Sequence, residues 1–100
     1  MNTELTSHAP SATTQIVTDN GTTWTLEYYL QTYENSYGKQ LYGIKVDKLD
    51  LYGIVAESSE TYAITESHSV AASILSYLAC GTVPPCVLLE MVDEWFSAHV

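Results

Sequence analysis

The sequence is 100 residues long, is 46% hydrophobic and carries a formal net charge of −9. This is the length of one domain, and the hydrophobic fraction is sufficient for a packed core, which excludes a fully disordered chain. Three basic residues stand against twelve acidic ones. Because nucleic acids and anionic membranes are bound through Lys and Arg, we predict neither a nucleic-acid partner nor a membrane partner.

The beginning of the chain shows no targeting segment. Residues 1–12 lack the basic start and the apolar core of a signal peptide, and no later run of about 18 apolar residues could span a bilayer. We therefore expect a cytoplasmic protein. The same residues are small, polar and without periodicity, which predicts a flexible tail over 1–12 and a single domain over 13–100.

The first half of the domain has the two-residue periodicity of β-strands. Asn20-Gly21 lies between two β-rich runs and predicts a type I′ turn with a two-residue loop, which would place Val17 opposite Trp24. The following strand alternates a mostly apolar face with a more polar one. The apolar face is formed by Trp24, Leu26, Tyr28 and Leu30.

Two more strands are predicted after this hairpin. The third carries Tyr42, Ile44 and Val46 at alternate positions, and the fourth is expected over residues 54–64. The middle of the fourth is polar on both faces, which indicates an edge strand that is bulged or interrupted there. The sequence Leu-Tyr-Gly-Ile occurs at residues 41–44 and again at 51–54. We interpret this as two similar strand openings, because a repeat protein needs more copies of a longer unit.

From Thr65 onward the apolar residues recur with helical spacing. Thr65 or Ser67 can cap a first helix and Gly81 can end it, and Pro84-Pro85 then forces an extended link to a second helix. The apolar stripes are Val70, Ala71, Ile74, Leu75 and Leu78 in the first helix, and Leu88, Met91, Val92, Trp95 and Phe96 in the second. The prediction is an α+β fold: a four-stranded antiparallel β-meander followed by two C-terminal α-helices packed on one face of the sheet.

Several motifs in this order resemble a known protein family. They are residues 42–46 with Lys48 and Asp50, then Gly53, then Thr82-Val83-Pro84 with Leu88 and residues 92–95. The pattern is similar to a family of short, uncharacterised bacterial proteins of about this length, found in clostridia and related anaerobic Gram-positive bacteria. The resemblance spans Thr14 to Phe96 and implies a cytoplasmic location but no activity. The chain departs from the family in having few lysines, many tyrosines and Pro85-Cys86, so a surface rich in Lys–Glu pairs would be altered here.

No catalytic, cofactor or metal site is predicted. Cys80 and Cys86 are six residues apart, unlike a Cys-x-x-Cys redox pair, and we expect buried, reduced thiols that act as small hydrophobic side chains. A zinc site would need His68 and His99 to meet both thiols, and it is kept as the alternative. His68 and Cys80 cannot form a catalytic dyad, because twelve residues of helix separate them by about 18 Å.

The tyrosines suggest an interface. Eight tyrosines are more than a small core can bury with every hydroxyl bonded, and Tyr29 and Tyr33 lie on the predicted open face of the second strand. The alternative is a solvent-exposed sheet face whose isolated tyrosine rings form no interface. Our first hypothesis is a non-enzymatic protein that self-associates, as a homodimer, through this face.

A second hypothesis uses the charge of the last helix. Glu90, Asp93 and Glu94 are predicted on its solvated side, where they could bind a basic protein partner. The alternative is that these acidic residues bind no partner and only keep the protein soluble. A thiol or metal site at the two cysteines is the third hypothesis.

Overall fold

The computed structural model of the protein describes residues 3–5 and 9–99. In this part of the chain five antiparallel strands form one sheet that is followed by two α-helices. The elements are β1 (Thr3–Leu5), β2 (Ala12–Val17), β3 (Thr23–Glu34), β4 (Gln40–Leu49), β5 (Val55–Glu60), α1 (His68–Cys80), a 3-10 helix (Pro85–Val87) and α2 (Leu88–Ala98). Strands β2 to β5 are the predicted meander, so the predicted α+β fold is confirmed.

The fifth strand, β1, lies within the segment predicted as a tail. It pairs with the end of β3, with Glu4 opposite Tyr33, on the same side of β3 as β2. Residues 1, 2 and 6–8 lie outside the described residues. The flexibility of residues 1–12 therefore stays a prediction.

The β2–β3 hairpin has a longer loop than predicted. The N–H of Gly21 donates to the carbonyl of Thr18 at 2.9 Å, which closes a three-residue loop. Gly21 has a φ of 83°, whereas Asn20 is not left-handed as a type I′ turn requires. The register consequently differs by one residue from our prediction, which is wrong here: Ile16 lies opposite Trp24, and Val17 lies opposite Thr23 and is exposed.

The other two hairpins use the same kind of loop, reinforced by a side chain. Asn35 Oδ1 accepts hydrogen bonds from two backbone N–H groups of its loop, and Asp50 Oδ1 does the same. In both loops the glycine, Gly38 or Gly53, has a φ of 78°. The second Leu-Tyr-Gly-Ile sequence thus lies in the β4–β5 loop, while the first lies inside β4, so their likeness has no common structural cause.

The core lies between one face of the sheet and the two helices. The helix-side face of β3 and β4 supplies Leu26, Tyr28, Ile44 and Val46, all fully buried. The hydroxyl of Tyr28 donates a hydrogen bond of 2.9 Å to the carbonyl of Val83, in the link between the helices. The buried helix residues are Ala71, Ile74, Leu75 and Leu78 in α1 and Leu88 and Val92 in α2, as the stripes predicted.

The predicted ends of α1 are confirmed. Ser67 is the N-cap, because its Oγ accepts from the N–H of Val70 at 3.2 Å, and Gly81 is the C-cap. The 3-10 helix begins at Pro85 and leads directly into α2. No helix in the described part of the chain is long and apolar enough to cross a membrane.

Strand β5 ends four residues before the predicted boundary. The chain leaves the strand at Thr61 and Tyr62, where Tyr62 has a φ of 58°, and returns to β4 through a single bridge between Tyr42 and Thr65. The predicted edge position is confirmed, but the interruption predicted in the polar middle is wrong: residues 57–60 pair regularly with β4, and the register shift lies before them, between Lys48 and Leu49. This detour brings the backbone of Tyr62 directly over Gly43.

Replacement of Gly43 by alanine tests this close approach. A Cβ atom there would lie 1.8 Å from the carbonyl oxygen of Tyr62, which is backbone and cannot move aside cheaply. We expect Gly43→Ala to lower the free energy of unfolding by about 3 kcal/mol, the upper range for overpacking. The matched control is Gly81→Ala, whose Cβ would meet nothing closer than 3.5 Å. Urea denaturation followed by tryptophan fluorescence gives both values, and equal stability of the two variants would contradict the prediction.

Candidate functional site

The open face of the sheet, on the side without helices, carries a polar cluster across three strands. The hydroxyl of Tyr29 donates to Glu27 Oε1 at 2.9 Å. The ammonium of Lys45 lies 5.2 Å from the centre of the Tyr29 ring and 3.7 Å from Asp47 Oδ2. Ser58 of β5 donates to the other oxygen of Asp47 at 2.6 Å. These side chains therefore bind one another through hydrogen bonds and ionic contacts. The Tyr29 ring is part of this polar cluster, and this part of the face is polar and not apolar.

Tyr33 does not form part of an exposed aromatic face. Its side chain is only 7% exposed, and its hydroxyl donates to Gln31 Oε1 at 2.7 Å. At this point β3 is flanked on both sides, by β1 and by β4 with Leu41 opposite Tyr33. The expectation that Tyr29 and Tyr33 together line an open aromatic face is therefore wrong for Tyr33.

The acidic residues of α2 lie where the sequence placed them. Glu90, Asp93 and Glu94 are all exposed. The two ion pairs of the described residues are elsewhere, between Lys39 and Glu66 and between Lys45 and Asp47. No lysine therefore neutralises these three carboxylates.

Both cysteines are exposed, so the expectation of buried thiols is wrong. Cys80 is the last residue of α1. Cys86 lies in the 3-10 helix, where the neighbouring Pro85 is buried and Cys86 is not. His68 is at the opposite end of α1 from Cys80, which agrees with the separation that excludes a dyad. Among residues 3–5 and 9–99 no group of three or more His, Cys, Asp or Glu side chains could hold a metal ion.

The β4–β5 loop and the first residue of β5 carry a group of exposed apolar side chains, which we call the hairpin surface: Leu51, Tyr52, Ile54 and Val55. Tyr52 is 84% exposed. The one ionisable neighbour in the loop is Asp50, whose carboxylate accepts the N–H groups of Tyr52 and Ile54. Exposed apolar residues concentrated in one place mark interaction sites more often than scattered ones do.

Strand β5 forms an edge of the sheet and is flanked by a groove on each face. On the open face a groove of about 510 Å³ is lined by Gln31, Lys45, Ser58, Ser59, Glu60 and Tyr62. The other groove, of about 360 Å³, extends to the 3-10 helix and is lined by Glu57, Ser58, Ser59, Pro85 and Cys86. In the described part of the chain only β4 pairs with β5, so the outer side of this strand is accessible.

Neither the hairpin surface nor the grooves followed from the sequence. The sequence predicts a turn over residues 49–53 before the fourth strand, but nothing in it indicates that the apolar side chains of this turn are exposed together. One groove depends on contact between β5 and the 3-10 helix, about 25 residues away, and the other on contact between β5 and residues of β3 and β4, and local periodicity contains no information on such contacts.

A comparison with protein families assigns the chain to a known group. Residues 8–98 match the model of a family of unknown function, DUF6514. The chain belongs to this family. The match confirms the expected resemblance to proteins of unknown function, while their occurrence in clostridia stays a prediction. No curated protein and no solved structure matches the chain.

The polar cluster predicts a dependence of stability on alkaline pH. Burial, helped by the hydrogen bond to Glu27 and by the charges of Glu27 and Asp47, raises the pKa of Tyr29 from 10.0 to about 12. As the pH rises, the unfolded chain therefore loses the Tyr29 proton before the folded chain does. The contribution of the protonated hydroxyl to the free energy of unfolding is complete below pH 10 and is lost between pH 10 and about 12. Burial raises the pKa of Tyr28 as well.

Tyr29→Phe tests this linkage. We expect the free energy of unfolding of the variant to fall less steeply above pH 10 than that of the unchanged protein. Urea denaturation at neutral pH gives the cost of losing the hydrogen bond to Glu27, and the same titration at several alkaline pH values gives the slope. Parallel pH profiles for the two proteins would show that Tyr29 titrates alike in the folded and unfolded states.

Proposed function

We propose that this protein is non-enzymatic and acts by association, with two copies forming a homodimer through the hairpin surface. The observation that carries the proposal is the exposure of four apolar side chains within five consecutive residues of one hairpin, Leu51, Tyr52, Ile54 and Val55. Burying such side chains against a partner removes apolar area from water, which is the main favourable term in association. The polar cluster around Tyr29 is less suited to this role, because its groups already bind one another.

The local charge of the hairpin surface favours a second copy as the partner. The chain carries a net charge of −9, so most contacts between two copies bring like charges together. The hairpin surface is an exception, because Asp50 is its one carboxylate neighbour in the loop and is hydrogen-bonded inside the turn. A two-fold contact repeats the same patch on both copies, so an uncharged patch avoids repulsion.

Replacement of Tyr52 by serine tests self-association with a matched control. Tyr37 occupies the equivalent position of the β3–β4 loop, before its glycine, and is 93% exposed. We expect the unchanged protein and Tyr37→Ser to have the mass of a dimer in size-exclusion chromatography with light scattering. Tyr52→Ser should weaken the dimer by about tenfold or more, as loss of a buried aromatic anchor does.

The outcome that contradicts the proposal is equally direct. A monomeric mass for the unchanged protein at high micromolar concentration would exclude the homodimer. If the Tyr37→Ser and Tyr52→Ser dimers dissociate equally, the hairpin surface is not the dimer contact.

The proposal also includes a cytoplasmic location, which rests on the sequence expectation alone.

A second candidate function is that of an acidic regulator that binds a basic protein through α2. It is favoured by the exposure of Glu90, Asp93 and Glu94 and by the absence of a neutralising lysine in the two ion pairs of the described residues. Exposed charges are screened over about 8 Å at physiological ionic strength, so such binding must weaken as salt is added.

Neutralising α2 tests this second candidate. The probe is polylysine. Glu90→Gln combined with Glu94→Gln should weaken binding of polylysine to the protein several-fold at low salt. The effect should vanish at about 1 M salt, where screening extends over only about 3 Å. Binding that is indifferent to both the substitutions and the salt would exclude α2 as the contact.

A further inference from the structure

The outer side of β5 presents backbone groups that are ready to pair with another strand. The N–H of Thr61 donates to the carbonyl of Ile44 at 2.8 Å, and the register continues as Lys45 opposite Glu60 and Asp47 opposite Ser58. Since inward and outward groups alternate along an antiparallel strand, Ser58 and Glu60 direct their N–H and C=O groups away from β4. No described strand pairs with them.

The two grooves match the geometry of an added strand. Side chains of an extended segment alternate between the two faces of a sheet, and β5 has a groove on each face. Strand addition gains affinity from main-chain hydrogen bonds and specificity from pockets for alternate side chains. A flat edge without grooves would offer main-chain hydrogen bonds but no pockets for the side chains of the added strand.

The charges along β5 determine what kind of segment fits. Glu57 lines the groove beside the 3-10 helix, and Glu60 lines the groove on the open face. The one lysine in these linings, Lys45, lies 3.7 Å from Asp47, so its charge is already compensated. Lys48 lies opposite Glu57 and Lys45 opposite Glu60 on β4, but neither carboxylate takes part in the two ion pairs of the described residues. Each face therefore offers a carboxylate without an ion pair to an incoming side chain.

We propose that the edge of β5 binds an extended, basic segment of a partner protein as an additional strand. Lysine or arginine side chains of the segment reach Glu57 on one face and Glu60 on the other, and its backbone bonds to Ser58 and Glu60. This site is distinct from the hairpin surface and from the acidic side of α2, and it does not require the protein to form a dimer.

Peptide binding to the full chain tests the proposal. The probe is a blocked polyvaline peptide about seven residues long with two lysines placed three residues apart, which point to opposite faces of an extended strand, and its counterpart with glutamate in place of lysine is the control. We expect the basic peptide alone to bind, and amide hydrogen exchange of Ser58 and Glu60 to slow in its presence. Contact with α2 or any other purely electrostatic contact would leave these two amides unprotected, and that result would overturn the proposal.

Two substitutions at one position separate backbone pairing from side-chain effects. Ser58→Pro removes an outward N–H from an edge strand, where proline is tolerated, and Ser58→Ala keeps this N–H. Both lose the hydrogen bond to Asp47. We expect Ser58→Pro to weaken peptide binding about tenfold and Ser58→Ala to change it less than about twofold, since only the former removes a contact with the peptide. Equal affinities of the two variants would exclude strand addition.

Charge variants keep the proposal testable if Ser58→Pro does not fold. Glu57→Gln combined with Glu60→Gln should weaken binding and reduce its salt dependence, while Glu90→Gln combined with Glu94→Gln removes the same charge elsewhere and should have a smaller effect. Equal effects of the two pairs would show that the peptide responds to net charge alone. The hairpin variant Tyr52→Ser should bind the peptide normally, so failure of the dimer proposal is distinguishable from failure of this one.

Discussion

The burial of Tyr28 at the centre of β3 is the constraint on which the rest of the arrangement depends. Its ring is fully buried, and its hydroxyl donates to the carbonyl of Val83 between the two helices. A buried hydroxyl without a partner costs about 1–3 kcal/mol, so this bond fixes where the helix–helix link lies on the sheet. The helices then cover the middle of β3 and β4, and β5 remains at an edge.

The lengths of the elements explain why apolar side chains remain exposed. Strand β3 has 12 residues, which corresponds to about 40 Å, whereas the 13 residues of α1 span about 20 Å. The sheet is consequently longer than its helical cover, in agreement with overall dimensions of 49 × 30 × 17 Å. Most of the hairpin surface, Leu51, Tyr52 and Ile54, lies in the β4–β5 loop beyond the paired end of the sheet, where it is exposed.

The features that depend on local periodicity were predictable, and those that depend on distant neighbours were not. The helix stripes, the Ser67 cap and the apolar face of β3 follow from spacing alone. The hairpin register was missed by one residue because it depends on the backbone angle of Asn20, which its residue type leaves open. Tyr33 was predicted to be exposed because nothing near it in the sequence indicates that β1 pairs beside it. The grooves were missed for the same reason.

The two proposed contacts differ in the physical term that drives them, and the lysines explain the difference. Lys39 pairs with Glu66 and Lys45 with Asp47, while Lys48 lies 4.5 Å from the centre of the Trp24 ring, so none of the three lysines forms an ion pair with a carboxylate of β5. Contact at that edge combines backbone pairing with ion pairs, and the ionic part weakens with salt. Contact at the hairpin surface is apolar, and added salt relieves the repulsion between two chains of net charge −9. Ionic strength therefore moves the two associations in opposite directions, so a salt titration distinguishes the apolar dimer from complexes that depend on the carboxylates of β5 or α2.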